Sequence, residues 1–362
     1  MKSNKFPGII FSLFIAFTIH VTTVYSQDFY PDNLAVYRYG DGKPRNKTVP
    51  VFIDEYTQEG KLVRTIDVPY ISSQSNNMLT GLQYTSSAIP IEGLMTLSQD
   101  GKYLTIIGYE QRIGQSTGYS NKTIGRIGVD GKVNTSTVLI DDRGSPRCAI
   151  AENKGFYIAT TGTKGEEGTA GLRYIPFSES SQTKGVAAVN SQMLSVYTFL
   201  NKIYLTRGGN SFFSVGSSLP ITPKDRIKEH KLSGSSTVHQ IVMLDTDQNN
   251  IPDLLYAVDN DGNGFLRKYT SKDGQKWEEQ GSLDFSGITS NLRSVTAKIT
   301  SKKGVDVYVV SVGSFDGTTK SQIIKVSDKI DEQLSKETNK KVLATASPYT
   351  MFRSITLAPS IK

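Results

Sequence analysis

One loop of the chain carries oxygen-bearing side chains at the spacing that a calcium ion requires. In Asp245-Thr-Asp247-Gln-Asn249-Asn-Ile251-Pro-Asp253, side-chain oxygens fall at positions 1, 3, 5 and 9, and Ile251 offers its main-chain carbonyl at position 7. Ca²⁺ takes about six to eight hard oxygen ligands, and alternate residues of a tight loop can direct theirs to one point. The spacing predicts a calcium site made by these five residues, in which the ion has a structural role.

Two features of this loop differ from common calcium loops. Asn250 stands at position 6, where glycine is usual, although asparagine tolerates the left-handed backbone conformation. Tyr256 stands at position 12 in place of a bidentate glutamate, so the segment is not an EF-hand. Three carboxylates suit the weak affinities of extracellular calcium modules. The alternative interpretation is an Asx-rich hairpin turn without a metal.

A second acidic segment has a similar composition but a different interpretation. Asp259-Asn-Asp261-Gly-Asn263 begins like the first loop, yet its position 9 is Arg267, a cation where a ligand belongs. We therefore interpret it as a polar hairpin turn.

Nucleophilic catalysis finds little support among the remaining residues. The chain has three histidines, one of them in the apolar N-terminal segment, which leaves His230 and His239. A triad through His239 is one interpretation, and a hydrogen-bonded structural histidine is the one we favour. The single cysteine, Cys148, opens an apolar strand, which predicts a buried and inert thiol. The acidic pairs Asp54-Glu55 and Asp141-Asp142 each point to opposite faces of a strand, so neither forms a glycosidase couple by itself.

These residues lie within a pattern that the chain repeats. An apolar strand, a tight turn and a second apolar strand recur at intervals of tens of residues, in Leu94–Gly108, Cys148–Gly162, Leu194–Gly208, Ile241–Val258 and Val295–Gly313. Six Asp-Gly pairs mark hairpin turns, because such turns need positive φ at their centre. Strand alternation with this repeat is typical of a radial all-β architecture. A β-sandwich pair and a β-solenoid are the alternatives, and the repeats are too long and irregular for a solenoid.

The repeats predict a single β-propeller of about six blades. Five four-stranded units follow one another, over Glu92–Ile140, Arg147–Lys184, Asn190–Glu229, Val238–Phe285 and Leu292–Ala346. The N-terminal strands of Leu34–Val68 and the C-terminal strand Phe352–Ala358 would complete a sixth blade and close the ring. A seventh blade requires a strand pair hidden in Ser72–Pro90. In Asp328–Lys341, Asp328 can cap a helix and Ile330 and Leu334 lie four residues apart on one face, which predicts a short helix or an ordered insertion.

The ends and the composition of the chain predict a secreted protein. Residues 1–26 combine Lys2 and Lys5 with an apolar core and a cleavage site before Gln27, as a secretory signal does, which leaves residues 27–362 for the propeller. A retained signal anchor is the alternative. Sequons at Asn46, Asn121 and Asn134 predict glycosylation in a secretory pathway. The net charge of +7 is scattered along the chain, which argues against a nucleic-acid partner, and no later segment has the length of a membrane span.

Several stretches resemble a family of secreted bacterial β-propeller proteins. They include VYRYGDG, VPVFIDEYTQEGKLVRTIDVP, EGLMTLSQDGKYLTIIGY, IGRIGVDGKVNTSTVL and MFRSITLAPS, in that order along the chain. The resemblance implies the fold and brings no catalytic residues. The loop Asp245–Asp253 departs from those proteins and resembles the calcium loops in the FG-GAP blades of integrin-type propellers.

Together these features predict a secreted, non-enzymatic binding or extracellular-matrix scaffold protein, stabilised by calcium. Its partner would be an extracellular polymer or protein, recognised across one face of the ring. The alternative is a propeller-type hydrolase or lactonase, with a metal held in the central channel by carboxylates and asparagines from several blades. The side chains that line the channel discriminate between the two.

Overall fold

The computed structural model describes residue 1 and residues 27–83, 92–141, 144–162, 170–187, 193–216, 218–221, 227–260, 264–289, 291–301 and 303–361. All the regular secondary structure in these ranges is β-strand, and they contain no helix. Apart from Met1, the predicted secretory leader lies outside the described residues.

The strands are short and follow the repeated pattern of the sequence. The first half of the chain forms β1 (Leu34–Tyr39), β2 (Thr48–Val49), β3 (Val51–Tyr56), β4 (Leu62–Asp67), β5 (Gly81–Leu82), β6 (Thr96–Leu97), β7 (Tyr103–Tyr109), β8 (Lys122–Gly128), β9 (Val133–Leu139), β10 (Cys148–Glu152), β11 (Gly155–Thr161), β12 (Ala170–Pro176), β13 (Ser180–Ser181) and β14 (Lys184–Ala187). The second half forms β15 (Ser195–Phe199), β16 (Lys202–Thr206), β17 (Ser211–Val215), β18 (Ile227–Lys231), β19 (Val238–Leu244), β20 (Leu254–Asp259), β21 (Phe265–Thr270), β22 (Glu278–Asp284), β23 (Leu292–Ile299), β24 (Gly304–Ser311), β25 (Gln322–Lys329), β26 (Asn339–Thr345) and β27 (Met351–Leu357).

Six sheets form the blades of a β-propeller, as the repeats predict. Their strands, from the channel outward, are β27-β1-β3-β4 in blade 1, β6-β7-β8-β9-β13 in blade 2, β10-β11-β12-β14 in blade 3, β15-β16-β17-β18 in blade 4, β19-β20-β21-β22 in blade 5 and β23-β24-β25-β26 in blade 6. The predicted closure is confirmed, because β27 pairs antiparallel with β1, with Leu34 opposite Leu357 and Tyr39 opposite Met351. The ring therefore has no open radial edge between its first and last blades.

The stretch Ser72–Pro90, which would hold a seventh blade, contributes only a short strand pairing in its described part. In its described part, Gly81–Leu82 pairs with Thr48–Val49 to form a two-stranded sheet, and Thr80 bridges to Tyr109. Residues 84–91 lie outside the description. The described residues therefore form six blades.

The turn residues adopt the backbone conformations that the Asp-Gly pairs predict. Five of the six glycines have positive φ, namely Gly42, Gly101, Gly131, Gly274 and Gly317. The sixth, Gly262, is outside the described residues. A side chain at these positions would strain the turn, which explains the choice of glycine.

The predicted helix in Asp328–Lys341 is wrong. Strand β25 continues to Lys329, and an irregular connection leads to β26. The apolar pair that suggested a helix instead fastens this connection to the core between blades 5 and 6: Leu334 is buried, and its amide donates to Gln280 O at 2.8 Å. Asp328 is a buried partner of Lys268 Nζ, at 2.8 Å, and not a helix cap. The segment is therefore the alternative that was also predicted, an ordered insertion.

Hydrogen bonds between neighbouring blades surround the channel. Thr96 Oγ1 donates to Ala149 O at 2.6 Å, and Thr206 Oγ1 donates to His239 O at 2.6 Å. The remaining contacts join Cys148 Sγ to Val196 O, Val295 N to Gln240 Oε1, Ile355 N to Ser294 Oγ, and Ser354 Oγ to Met95 O. Cys148 is buried as predicted, and burial raises its pKa to about 12, so the thiol is inert.

Candidate functional site

The predicted calcium loop connects β19, the innermost strand of blade 5, to β20. One carboxylate oxygen from each of Asp245, Asp247 and Asp253 lies within 4.8 Å of the others. No other group of three or more such ligand side chains occurs among the described residues. The fold therefore gathers three of the five predicted ligands.

Backbone geometry explains how so short a loop brings the three together. Gln248 and Asn250 both have positive φ, at 60° and 65°, so the asparagine at position 6 takes the conformation predicted for it. Asn250 N donates to Asp245 Oδ2 at 2.8 Å, which folds the loop back over its first carboxylate. A tight Asx-type turn results.

Two of the predicted ligands serve the loop itself in this structure. Asn249 Oδ1 accepts a hydrogen bond from Ile251 N at 2.7 Å, and Asn249 Nδ2 donates to Asp247 Oδ2 at 2.9 Å. Asp253 accepts from the amide and the hydroxyl of Thr246, at 2.9 and 2.5 Å. The carboxylate set fits a cation, while the amide and carbonyl ligands remain predictions.

In the second acidic segment, Asp259 pairs with Arg267, the cation at its ninth position. Asp259 is buried, and its Oδ2 accepts from Arg267 Nε at 2.7 Å. The amides of Ser236 and Thr237 donate to the same carboxylate at 3.1 and 2.7 Å. Residues 261–263 lie outside the described chain.

The other acidic residues and the first histidine also have structural partners. Asp54 pairs with Arg38 and Glu55 pairs with Arg64, at 2.5 and 2.7 Å, so neighbouring carboxylates face different cations. His230 stacks on Phe212, with ring centroids 4.7 Å apart. Its ring nitrogens contact Ser214 Oγ and Gln275 O, at 2.8 and 3.0 Å.

The predicted glycosylation sites differ in their exposure. Asn46 is exposed, whereas Asn121 and Asn134 are half-buried. Asn121 Nδ2 donates to Glu110 Oε2 at 2.9 Å. Asn46 is therefore the sequon most open to a glycan in the folded state.

At one end of the channel the inner strands enclose a cavity of about 440 Å³. We call this the threonine end, because Thr96, Thr198, Thr296 and Thr356 contribute to its lining. Five of the six blades contribute their inner strands, and most of the other lining side chains are apolar. Tyr197 and Phe199 also line it, stacked with centroids 6.3 Å apart and planes 12° from parallel. Such a cavity suits a small, largely uncharged group.

The loop and the cavity lie on the same face of the ring. Leu244, at the end of β19, lines the cavity, and Asp245 directly follows it. Glu152 stands at the rim, where its Oε1 accepts from Thr198 Oγ1 at 2.5 Å and from Gln99 N at 2.8 Å. Burial raises the pKa of Glu152.

The opposite end of the channel carries buried cationic side chains. We call it the arginine end: it consists of Arg147, His239, Arg293 and Arg353, together with Glu92. Arg293 and Arg353 are 1% and 0% exposed, and they are the two largest fully buried side chains among the described residues. Arg353 Nη2 donates to Glu92 O, and Arg293 Nη1 donates to His239 Nδ1.

Charge and burial fix the protonation states at this end. The pKa of His239 is held well below its ordinary value by burial and by the positive charges of Arg293 and Arg147. His239 is therefore neutral, and it contacts a guanidinium where a catalytic triad needs a carboxylate. The pKa of Glu92 is raised by burial, although Tyr109 Oη donates to its Oε2 at 2.7 Å and two arginines oppose the shift.

Sequence reasoning did not find these arginines. Arg293 and Arg353 lie within inner strands and Arg147 directly precedes one, and each is followed by a small residue and then an apolar or small one. A superposition of the repeats on one another would have aligned them. Their shared position in the repeat is the signal that the sequence carries for them.

Comparisons with other proteins show no family for this chain. No protein-family model and no curated protein matches the chain. The chain is similar to the structure of a hypothetical selenium-binding protein from Sulfolobus tokodaii, at 12% identity over 91% of this chain and 94% of that chain, with a TM-score of 0.49. It is also similar to a "putative 6-phosphogluconolactonase" from Bacteroides uniformis (11% identity, 87% of this chain and 99% of that chain, TM-score 0.44) and to a GH74 enzyme from Niastella koreensis (12% identity, 87% and 47%, TM-score 0.46). At these values the likenesses carry no argument about activity.

The fold offers no helical route across a membrane in the part of the chain that the structure describes. These residues form only strands, turns and loops, so they contain no helix that is long and apolar enough to cross a membrane.

Proposed function

We propose that this protein is a secreted binding protein that recognises an extracellular polymer or protein through the face of the ring where the threonine end opens. The observation that carries this proposal is the lining of the cavity of about 440 Å³. Hydroxyl groups, apolar side chains and a stacked aromatic pair can bind a ligand by packing and hydrogen bonds. A carbohydrate residue of a polymer matches that chemistry best, because it has apolar faces and many hydroxyls.

The same lining favours a binding role over the alternative hydrolase or lactonase. A channel metal needs several oxygen ligands from different blades. The described inner strands instead bring threonines to one end and arginines to the other, and the two carboxylates near the channel, Glu92 and Glu152, lie at opposite ends. Positive charge at the arginine end also repels a cation.

Calcium enters the proposal through the loop beside the cavity. Three carboxylates within 4.8 Å repel one another without a cation, so an ion bound there would stabilise the connection between β19 and β20. Asp245, Asp247 and Asp253 would hold the ion, with Asn249 Oδ1 and the carbonyl of Ile251 as further ligands. The ion would fix the rim of the binding face and would take part in no reaction.

Secretion and glycosylation complete the proposal. Cleavage before Gln27 would release residues 27–362, and Asn46, Asn121 and Asn134 would be the glycosylation sites. The N-terminal residue of protein recovered from the medium tests this, and an intact Met1 in the membrane fraction would contradict it.

The binding role is tested by affinity electrophoresis of the purified protein through gels that contain single neutral or anionic polysaccharides. We expect one neutral polysaccharide to retard the protein, and Thr296→Phe, which fills the cavity, to abolish the retardation. Ser327→Phe, on an exposed position of the same blade, is the matched control and should behave like the wild type. Equal retardation of both variants would exclude the cavity as the site.

A hydrolysis assay on lactones and glycosides, with and without a chelator, tests the alternative. We expect no turnover above that of a heat-denatured sample. Hydrolysis that stops on chelation would replace the binding role with the enzymatic one.

A further inference from the structure

Three blades place an arginine at the same position of the channel. Arg293 is the second residue of β23 and Arg353 the third of β27, while Arg147 directly precedes β10. His239 holds the same position in blade 5, as the second residue of β19. One turn of the ring therefore presents three guanidiniums and an imidazole at one level.

Glu92 and His239 link the three arginines to one another across the channel. Arg147, from blade 3, influences the ionisation of Glu92 in blade 2 and of His239 in blade 5. Arg293 contacts His239, and Arg353 contacts the carbonyl of Glu92. The arginine end is thus a single electrostatic cluster and not a set of separate surface charges.

The cluster concentrates positive charge where water is excluded. Three guanidiniums share this segment of the channel with Glu92, and all are nearly or fully buried. Burial of a charge costs several kcal/mol unless an opposite charge accompanies it. The guanidiniums of Arg293 and Arg353 already donate to His239 Nδ1 and Glu92 O. Because a guanidinium carries about five N–H donors, it can serve a protein partner and a ligand at the same time.

We propose that the arginine end binds a small tetrahedral oxyanion, either inorganic phosphate or the terminal phosphate group of a small ester. Planar guanidinium groups bind phosphate oxygens through paired N–H donors, and convergence from three blades suits a group with three or more oxygens. A neutral His239 can donate through its second ring nitrogen. The site is separate from the proposed polymer-binding face and depends neither on calcium nor on secretion.

The test is a thermal and calorimetric titration of residues 27–362 at neutral pH, without calcium, in chloride, phosphate or glycerol 3-phosphate at matched ionic strength. We expect phosphate to raise the melting temperature by several degrees over chloride, with saturable binding of one anion per chain. Tighter binding of glycerol 3-phosphate would identify an ester, and binding of phosphate alone would identify the free anion. Equal melting temperatures in all three salts would overturn the proposal.

Two variants locate the site. Arg147→Gln should weaken phosphate binding by about tenfold or more, since it removes one of three charges. Arg267→Gln is the control: Arg267 is also buried, but it pairs with Asp259 and Glu279 in blade 5 and should leave the affinity unchanged. Equal loss in both variants, or in neither, would assign the binding to an adventitious ion only.

If Arg147→Gln does not fold, the wild type alone still decides the question. A ³¹P NMR titration should show saturable broadening of the phosphate signal that excess chloride does not remove. A signal unaffected at millimolar phosphate would overturn the proposal.

Discussion

The two ends of the channel are built from the same inner strands and have opposite chemistry. Where the strands begin, they present buried arginines and a neutral histidine, and where they end, they present threonines around a cavity. Strand β27 contributes to both, through Arg353 at one end and Thr356 at the other. Because a strand offers separate residues to each end, a propeller can change one end of its channel without disturbing the other.

The comparison also separates stability from binding. The arginine end holds charges that are costly to bury, so its state depends on pH and on anions. The threonine end holds neutral hydroxyls, some already bonded to the next blade, as Thr96 is to Ala149 O. We therefore expect changes at the arginine end to alter the response to solution conditions, and changes at the threonine end to alter ligand binding.

The largest effect should come from removing the strand that contributes to both ends of the channel. Deletion of Met351–Lys362 takes away β27, and with it Arg353, Thr356 and the pairing with β1. We expect the melting temperature to fall by at least several degrees, because two sheet edges become exposed. A truncated protein that melts like the full-length one would contradict closure of the ring by its two termini.

The second effect concerns pH at the arginine end. The pKa of His239 is low in the folded state, so between pH about 6.5 and that pKa the unfolded chain binds the extra proton. Stability should therefore rise with pH and be lost on acidification below about pH 6.5. His239→Gln should reduce this slope by up to about 1.4 kcal/mol per pH unit, measured by denaturant unfolding. An unchanged slope would mean that His239 is protonated in the folded state.

Glu152, at the threonine end, should change the stability of the fold with pH in the opposite direction. Its pKa is raised, so the folded protein holds the proton longer than the unfolded chain does. Its contribution to stability is present below the unfolded pKa of about 4.5 and is lost as pH rises through the folded pKa. Glu152→Gln should remove that loss. The same unfolding series will show whether the pH dependence of stability has opposite signs at the two ends.

Calcium should stabilise the protein only through the loop beside the threonine end. We expect millimolar calcium to raise the melting temperature of the wild type by a few degrees, and Asp247→Ala to abolish this response. Asp273→Ala is the matched control, since Asp273 Oδ1 accepts from the amides of Gln275 and Lys276 in another loop of the same blade. Identical wild-type scans in calcium and in chelator would leave a polar turn without a metal.

The smallest effect compares two hydroxyls of β23. Ser294 Oγ contacts Ser354 Oγ at 2.8 Å and accepts from Ile355 N, so Ser294→Ala should cost about 1–3 kcal/mol by leaving buried groups unsatisfied. Thr296→Val, which borders the cavity, should cost less, about 0.5–1.5 kcal/mol, the net worth of one hydrogen bond. Equal costs in urea unfolding would mean that the two hydroxyls are equally engaged.

The sequence predicts much of the fold because its signals are local. Alternating strands and Asp-Gly turns need only neighbouring residues, and they led to six blades and to the pairing of Leu34–Val68 with the C-terminal strand. The helix expected in Asp328–Lys341 failed for a non-local reason. The spacing of Ile330 and Leu334 imitates a helical face, but Leu334 packs against blade 5 and Asp328 binds Lys268, contacts that no local pattern contains.

The site was predictable only where one segment supplies it. The three carboxylates of Asp245–Asp253 lie within nine consecutive residues, so their spacing alone indicated that they meet. The arginine end collects Arg147, Arg293 and Arg353 from blades that are distant in sequence. These arginines come together only in the closed ring. Their burial also results from the closed ring, so no local pattern in the sequence predicts it.

The pairing of β1 with β27 also has a consequence for how the protein folds. Leu34 and Leu357 are partners across nearly the whole length of the chain, so the closing contact carries a large loop entropy and a high contact order. Blade 1 stays incomplete until the last residues have been synthesised. A nascent chain therefore carries an unpaired edge on β1 throughout its synthesis, and the rate of ring closure limits how long that edge can join a second chain.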